Sequence, residues 1–250
     1  TQLEDRGSPR GARPAVVAVA SGQVLQPLSM DDGLWQLRVS ATDFVKNAAS
    51  AVGGTFEVVH DTLAPRSALA IGTPQASGGP DGSVFVTRDT LFTLSSIDDL
   101  VNSNDAAGLG VSFQELKVDA VLRARFTNPS PASSQTFAST FTLGADADGA
   151  RALSFYAEDA IQNREAARSA AVAVDNTAPL TTLASIGGQQ FPGPADSFYA
   201  SLATRVNLAA ADPLVNGAAS GLALTEYQDN GGAFHTFIEP LRLAEGRHAL

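Results

Sequence analysis

Aspartate residues recur along the chain in positions where they could bind a metal ion. Asp61 and Asp175 each follow an alternating apolar run, Asp98 and Asp212 lie in another pair of turns, and Asp159 lies in a further turn. Calcium takes about six to eight oxygen ligands, and carboxylates at loop ends are typical donors. These five residues are therefore candidate calcium ligands. The alternative is that each Asp caps its own turn by accepting backbone N–H bonds, and the lack of a dense D-x-D-x-D run favours it.

Other polar residues do not form a recognisable catalytic site. The sequence has no G-x-S-x-G motif, and it has no cysteine, which excludes cysteine nucleophiles and thiolate zinc sites. The histidines at 60, 235 and 248 lack the H-x-H or H-E-x-x-H spacing of a metal site. A glycosidase needs two carboxylates across a cleft, but a solvated strand face and turn explains the acidic residues of 226–245 better. These are Glu226, Asp229, Glu239 and Glu245. We predict that the chain is not an enzyme.

Charge and hydropathy restrict the partners. The net charge of −10 argues against nucleic acid and anionic membrane surfaces, and it is compatible with divalent cations. No apolar run approaches the roughly 18 residues of a membrane span, so no membrane insertion is expected. The apolar run at 12–22 is short and internal, and the first residue is Thr1 rather than Met. We therefore expect the sequence to be part of a longer protein.

Short segments with period-two alternation predict an all-β chain. Segment 34–43 places Trp35, Leu37 and Val39 on one face, and segment 151–159 alternates in the same way. Gly, Pro, Asn and Asp separate many such segments, which is typical of a β-sandwich. Residues 114–122 also fit a turn of helix, whereas a strand over 116–126 explains the same letters.

Aromatic residues could form a sugar-stacking platform or belong to the core. They are Trp35, Tyr156, Tyr199, Tyr227 and Phe234. Trp35 alternates with core positions, which favours the core. Tyr227 and Phe234 are the best candidates for exposure, because they flank the turn "DNGG", whose Asn-Gly pair suits a tight hairpin.

The sequence repeats itself with a long period. Segment 90–102, "TLFTLSSIDDLVN", matches 204–216, "TRVNLAAADPLVN", at six identical positions 114 residues apart. The same spacing separates Asp61 from Asp175, and a spacing of 116 relates "DG" at 32–33 to "DG" at 148–149. This predicts three copies: 1–61, the C-terminal part of a first; 62–175, a complete second; and 176–250, the N-terminal part of a third. Since the third copy lacks its closing strand, we expect the protein to continue past Leu250.

The order of several motifs resembles a known family. Segment 221–250 reads "GLALTEYQDNGGAFHTFIEPLRLAEGRHAL", and "SFYAEDAIQN" with "VAVDNTAP", like "VSATDFVKN" with "VVHDTLAP", supplies the later part. This pattern is similar to the Ig-like repeats of leptospiral outer-membrane-type surface proteins and other exported bacterial multidomain proteins. Lys46 and Gln162 stand where the motif has Gly. The resemblance implies tandem antiparallel β-sandwiches of the Ig-like or fibronectin-III-like type, in stalks, adhesins and accessory regions that are not catalytic.

Two functions follow from this resemblance. The first is a structural spacer in a secreted, cell-surface or periplasmic bacterial protein, with other repeats of the same chain as partners and Ca²⁺ as the candidate cofactor. The second is an accessory module that binds a host or cell-surface protein or a glycan through loops at one end of a sandwich. The Pro- and Ser-rich insert at 127–137 is the first place to look for such a binding loop.

Overall fold

The chain is built from β-strands. The computed structural model describes residues 33–99, 108–188, 190–195 and 197–250, together with the backbone of 2–5 and 17–18. These residues form strands β1 to β19 and one short 3₁₀ turn, Pro80–Gly82. The all-β prediction is confirmed. Among the described residues no helix has the length and apolar character needed to cross a membrane.

The first sheet has four antiparallel strands in the order β2-β1-β3-β4. Its strands are β1 (Gln2–Asp5), β2 (Val17–Ala18), β3 (Gly33–Thr42) and β4 (Ala48–Val58). Trp35 and Val58 are buried and pack with the partly buried Leu37. The rest of β4 is exposed. Of the face predicted for this strand, Trp35 lies in a small core, Leu37 is partly buried and Val39 is exposed.

Two sheets form from strands of the predicted second repeat. Their strands are β5 (Arg66–Ile71), β6 (Gln75–Ser77), β7 (Val84–Val86), β8 (Phe92–Ile97), β9 (Val111–Val118), β10 (Val121–Thr127), β11 (Phe137–Phe141), β12 (Gly149–Asp159) and β13 (Arg168–Val174). Six strands pair in the order β10-β9-β12-β13-β7-β6, and three pair in the order β11-β8-β5. All these pairings are antiparallel except that of β13 with β7, which is parallel.

Alternating side chains from both sheets form one core. Strand β8 buries every second residue, beginning with Phe92. Its ring stacks on Phe141, with 4.9 Å between the ring centroids. The main cluster of buried side chains draws on both sheets and contains Val86, Phe92, Val118, Leu143, Leu153, Val172 and Val174. Each such side chain stabilises the fold by about 1.5–3 kcal/mol when fully buried. This cluster holds the two sheets face to face.

The segment at 114–126, for which the sequence allowed either a helix or a strand, forms a β-hairpin. Strands β9 and β10 pair with Val118 opposite Val121. The two residues between them, Asp119 and Ala120, have φ of 51° and 66°. Positive φ at both positions is the geometry of the tight turns that match the twist of paired strands. The helix alternative at 114–122 is wrong, and the single strand over 116–126 is two strands. The insert at 127–137 connects β10 to β11, and residues 129–136 are exposed.

Three two-stranded ladders follow in the last part of the chain. They are β14 (Leu180–Gly187) with β17 (Arg205–Ala211), β15 (Gln190–Pro192) with β16 (Phe198–Ala200), and β18 (Glu226–Gln228) with β19 (Phe234–Thr236). The predicted tight hairpin turn is present, since Asn230 and Gly231 have φ of 50° and 70°. The segment 221–227, "GLALTEY", becomes a strand only from Glu226. Residues 242–250, which include His248, form no strand.

Candidate metal centre

Three of the five predicted aspartates lie together. Asp61 precedes β5, Asp98 follows β8, and Asp159 ends β12. Each offers one carboxylate oxygen to a group in which all three oxygens lie within 4.8 Å of one another. The residues are 5 %, 1 % and 1 % exposed, respectively. The remaining two, Asp175 and Asp212, do not belong to this group.

Asp159 is oriented by its own turn. Its Oδ1 accepts hydrogen bonds from the backbone N–H groups of Ile161 (2.9 Å) and Asn163 (2.8 Å). The Asn163 amide donates to Asp159 Oδ2 (2.7 Å) and to the backbone carbonyl of Asp61 (2.8 Å). Asp43 makes the same three bonds within its turn, to Val45 and Asn47. The turn-cap interpretation therefore describes these two residues, and in Asp159 the cap also fixes the carboxylate next to Asp61.

The turns after Asp43 and Asp159 each contain a residue with left-handed backbone, although that residue is not glycine. Lys46 and Gln162, which replace the usual Gly, have φ of 69° and 75°. Side chains at such φ values are strained relative to Gly. The backbone N–H groups that follow Asp43 and Asp159 donate to their carboxylates. These hydrogen bonds offset the strain because they close the same turn. The Asp and Asn of the motif thus determine the turn more than the residue between them.

A tight loop covers the carboxylates of Asp61 and Asp98. The backbone N–H of Leu109 donates to Asp61 Oδ2 (2.9 Å), and that of Gly110 donates to Asp98 Oδ2 (2.7 Å). A Cβ at Gly108 would lie 2.2 Å from Cγ of Asp98. Only glycine fits there without displacing the carboxylate, so the loop reaches Asp98 because residue 108 has no side chain.

The second oxygen of Asp98 is a buried acceptor without a hydrogen bond. Asp98 Oδ1 has no hydrogen-bond partner among the described residues. Burial raises the pKa of Asp98 to about 6; the Gly110 hydrogen bond opposes this rise, and the charges of Asp61, Asp159 and Asp99 add to it. Within the described part of the chain, no cationic side chain forms an ion pair with Asp98 or Asp159. Negative charge is thus concentrated where water has little access.

Asp175 and Asp212, which lie 114 residues after Asp61 and Asp98, also accept bonds from two successive backbone N–H groups. The backbone N–H of Ser220 donates to Asp175 Oδ2 (2.7 Å), and that of Gly221 donates to Asp212 Oδ2 (2.6 Å). Asp212 Oδ1 is again buried with no hydrogen-bond partner among the described residues. The bonds from two successive N–H groups to the two carboxylates are thus repeated.

The connection after β13 is held by a carboxylate that sequence reasoning did not single out as a site residue, Asp148. Asp148 Oδ1 accepts from the backbone N–H of Asn176 (2.9 Å), and its Oδ2 accepts from the Thr177 hydroxyl (2.6 Å). Burial acts to raise the pKa of Asp148, but these hydrogen bonds outweigh it and hold the pKa below the usual value. The available signal was the recurrence of Asp-Gly at 32–33 and 148–149.

Apolar contacts join the same connection to the residues that follow. Phe85 and Ala173 form a buried cluster with Ala218. A Cβ on Gly149 would lie 3.2 Å from the carbonyl oxygen of Asn216. Strands of the predicted second repeat therefore pack directly on the 216–220 segment of the predicted third.

The other candidate residues are dispersed. Glu226, Glu239 and Glu245 are exposed, while Asp229 Oδ2 contacts Nδ1 of His248 at 2.7 Å and raises its pKa. The five aromatic residues do not share one environment. Trp35 is buried, Tyr156 and Tyr227 are partly buried, and Tyr199 and Phe234 are exposed. Burial of Trp35 agrees with the core interpretation, and exposure of Phe234 with its place beside the hairpin turn.

Comparison with known proteins gives no relative. No family model matches the chain, and no curated protein and no solved structure matches it.

Proposed function

We propose that the chain is a non-catalytic spacer segment of tandem Ig-like β-sandwich units in a secreted or cell-surface bacterial protein. The observation that carries the proposal is the connection at 175–179, which is bonded on both sides. Asn176 and Thr177 bond to Asp148 on the preceding side, and Asp175 accepts a hydrogen bond from Ser220 on the following side. A connection held in this way fixes the distance and direction between neighbouring units.

The two packed sheets at 66–174 support the Ig-like part of the proposal. They are mostly antiparallel and enclose one core, and the last strand, β13, leads into the connection without an intervening loop. Pro65 and Pro179 stand just before the next strands, and each restricts one backbone angle. Short connections with a fixed proline make a series of units semi-rigid.

Small-angle X-ray scattering of the whole chain tests the proposal. A compact globule of 250 residues has a radius of gyration of about 18 Å. We expect a clearly larger value and a skewed, rod-like distance distribution, because the units are joined end to end. A radius near 18 Å would contradict the spacer role.

A matched variant makes the scattering experiment more specific. Asp148→Ala removes the acceptor for Asn176 and Thr177 but leaves the sheet residues unchanged. We expect the same far-UV circular dichroism with a broader distance distribution, since the connection loses its bonds to Asp148, keeps those to Arg88 and Ser220, and bends more easily. Asp89→Ala, an exposed carboxylate beside Arg88, is the control and should leave the distribution unchanged.

A further inference from the structure

We propose that Asp61, Asp98 and Asp159 bind one calcium ion that fastens the connection before β5 to the two sheets at 66–174. The inference deepens the proposed spacer function and rests on it for its role, while binding itself can be tested separately. The starting observation is that three carboxylate oxygens lie within 4.8 Å of one another and that all three residues are at least nine-tenths buried.

A second observation points to a ligand at this cluster. Asp98 is 1 % exposed, and its Oδ1 has no hydrogen-bond partner among the described residues. A buried carboxylate oxygen without a donor loses its hydration and gains nothing in exchange. Its neighbours Asp61 and Asp159 add like charge. A cation at the centre of the group supplies the missing partner and removes the repulsion.

The donor chemistry selects a hard cation. All three side chains offer oxygen, and the chain has no cysteine, so zinc and other thiophilic metals gain no advantage here. Calcium–oxygen bonds are about 2.3–2.6 Å long, so two ligands on opposite sides of the ion lie about 4.6–5.2 Å apart. The observed separations, within 4.8 Å, fit oxygens arranged around such an ion.

Burial favours calcium over magnesium. Magnesium gives up its waters reluctantly and requires near-ideal octahedral geometry, whereas calcium accepts irregular sets of carboxylates and carbonyls. The three aspartates are 5 %, 1 % and 1 % exposed, so few water molecules from solvent reach their carboxylates. The site therefore suits an ion that coordinates protein oxygen directly.

The positions of the three residues give the ion a structural role. Asp61 belongs to the connection that leads into β5, whereas Asp98 directly follows β8 of one packed sheet and Asp159 ends β12 of the other. One ion bonded to all three ties the connection to both sheets at once. The proposal concerns the site formed by Asp61, Asp98 and Asp159.

Thermal unfolding and calorimetric titration of the whole chain test the proposal. In EDTA-treated protein, added CaCl₂ should raise the unfolding midpoint progressively with concentration, because a ligand that binds only the folded state stabilises it by mass action. Isothermal titration should show one strong site. Magnesium at equal concentration should give a smaller rise, and an equal response to both ions would overturn the choice of calcium.

Asp98→Asn is the decisive variant, because the amide oxygen can still accept the Gly110 N–H. In EDTA we expect its midpoint to equal or exceed that of the wild type, since one repelling charge is gone. With calcium, its midpoint should not rise and the strong calorimetric site should be lost. Asp99→Asn is the matched control: it removes the same charge one residue away, from a surface pair with Arg66, and should keep the full calcium response.

Three results separate the inference from the spacer proposal. If wild type shows no calcium response, or if Asp98→Asn responds as wild type does, the metal site is wrong. If that happens while scattering still gives a rod, the spacer role stands without the ion. If calcium binds as expected but the scattering shows a compact globule, the metal site stands and the spacer role fails.

Discussion

At the scale of single residues, hydrogen bonds to carboxylates determine how the connections are held. Asp148 is buried and accepts bonds from Asn176 and Thr177, which keep its pKa below the usual value despite burial. A carboxylate with a lowered pKa in the folded state stabilises the fold above its unfolded pKa of about 3.9. That contribution is lost as pH falls through the lower, folded-state pKa.

Replacing Asp148 should therefore have a pH-dependent cost. Asp148→Asn should lower the free energy of unfolding by about 1–3 kcal/mol at neutral pH, because hydrogen bonds to a charged acceptor are lost. The difference from wild type should stay constant above about pH 5 and narrow below about pH 4. Chemical denaturation at several pH values measures it. Asp89→Asn should change stability by less than about 0.5 kcal/mol at every pH, and a pH-independent Asp148 effect would contradict the hydrogen-bond account.

The sequence predicts which aspartates cap turns, but it does not predict which aspartates lie close together in the fold. The bonds within the turns of Asp43 and Asp159 depend on neighbours two and four residues away, so the Asp and Asn of the motif were enough to suggest them. The proximity of Asp61, Asp98 and Asp159 depends on how β8 and β12 are placed in two different sheets. No local pattern contains that information, and only the recurrence at a spacing of 114 singled out Asp61 and Asp98.

At the scale of elements, glycines allow the loop at 108–110 to lie between its neighbours. Gly110 has φ of +87°, and a Cβ on it would lie 2.3 Å from the backbone nitrogen of Ala132 in the insert. The insert is bonded here as well, since Ser134 N–H donates to the carbonyl oxygen of Asp98 (2.9 Å). The exposed insert is therefore anchored next to the aspartate cluster.

A pair of glycine substitutions separates crowding from backbone strain. Gly82 also has positive φ, +77°, but a Cβ there would meet nothing within 4 Å. Gly82→Ala should cost about 1–2 kcal/mol through left-handed backbone alone. Gly110→Ala should cost a further 1–3 kcal/mol, roughly, because backbone atoms must move to admit the methyl group. Denaturant unfolding measures the loss of stability in each variant. Equal losses would show that the insert moves aside for the methyl group at no cost.

The sequence could not decide the conformation of 114–126 for a physical reason. The apolar residues of this segment fit both the helical and the strand periodicity. The turn falls at Asp119 and Ala120, and an Ala gives no indication of positive φ. Pairing with β12 decides the matter, because Leu116 and Phe155 lie opposite each other there. By contrast, the Asn-Gly turn at 230–231 was predictable, since both residues tolerate the left-handed conformation.

At the scale of the whole molecule, the described cores differ greatly in size. The first sheet has a small buried cluster around Trp35 and Val58, while the central two sheets share a cluster of seven buried side chains. Since buried apolar area supplies most of the stabilisation, the first sheet should unfold more easily. Asp61, which follows the first sheet, accepts hydrogen bonds from Leu109 and Asn163 of the central part, and these bonds couple the two stabilities.

The single tryptophan makes this difference measurable. The chain has one Trp, Trp35, so its fluorescence reports only on the first sheet, whereas far-UV circular dichroism reports on all strands. We expect the fluorescence transition to come at lower denaturant concentration than the dichroism transition. Coincident transitions in EDTA would mean that the first sheet and the central sheets unfold as one cooperative unit, contrary to this expectation.

The parallel pairing of β13 with β7 determines how the central sheets respond to tension. Because β13 continues directly into the 175–179 connection, a pull on that connection acts along the axis of β13. Its hydrogen bonds to β12 and β7 run across that axis, so they are loaded in shear and must break together rather than one after another. A pulling force on the connection is therefore resisted by both neighbours of β13 at once.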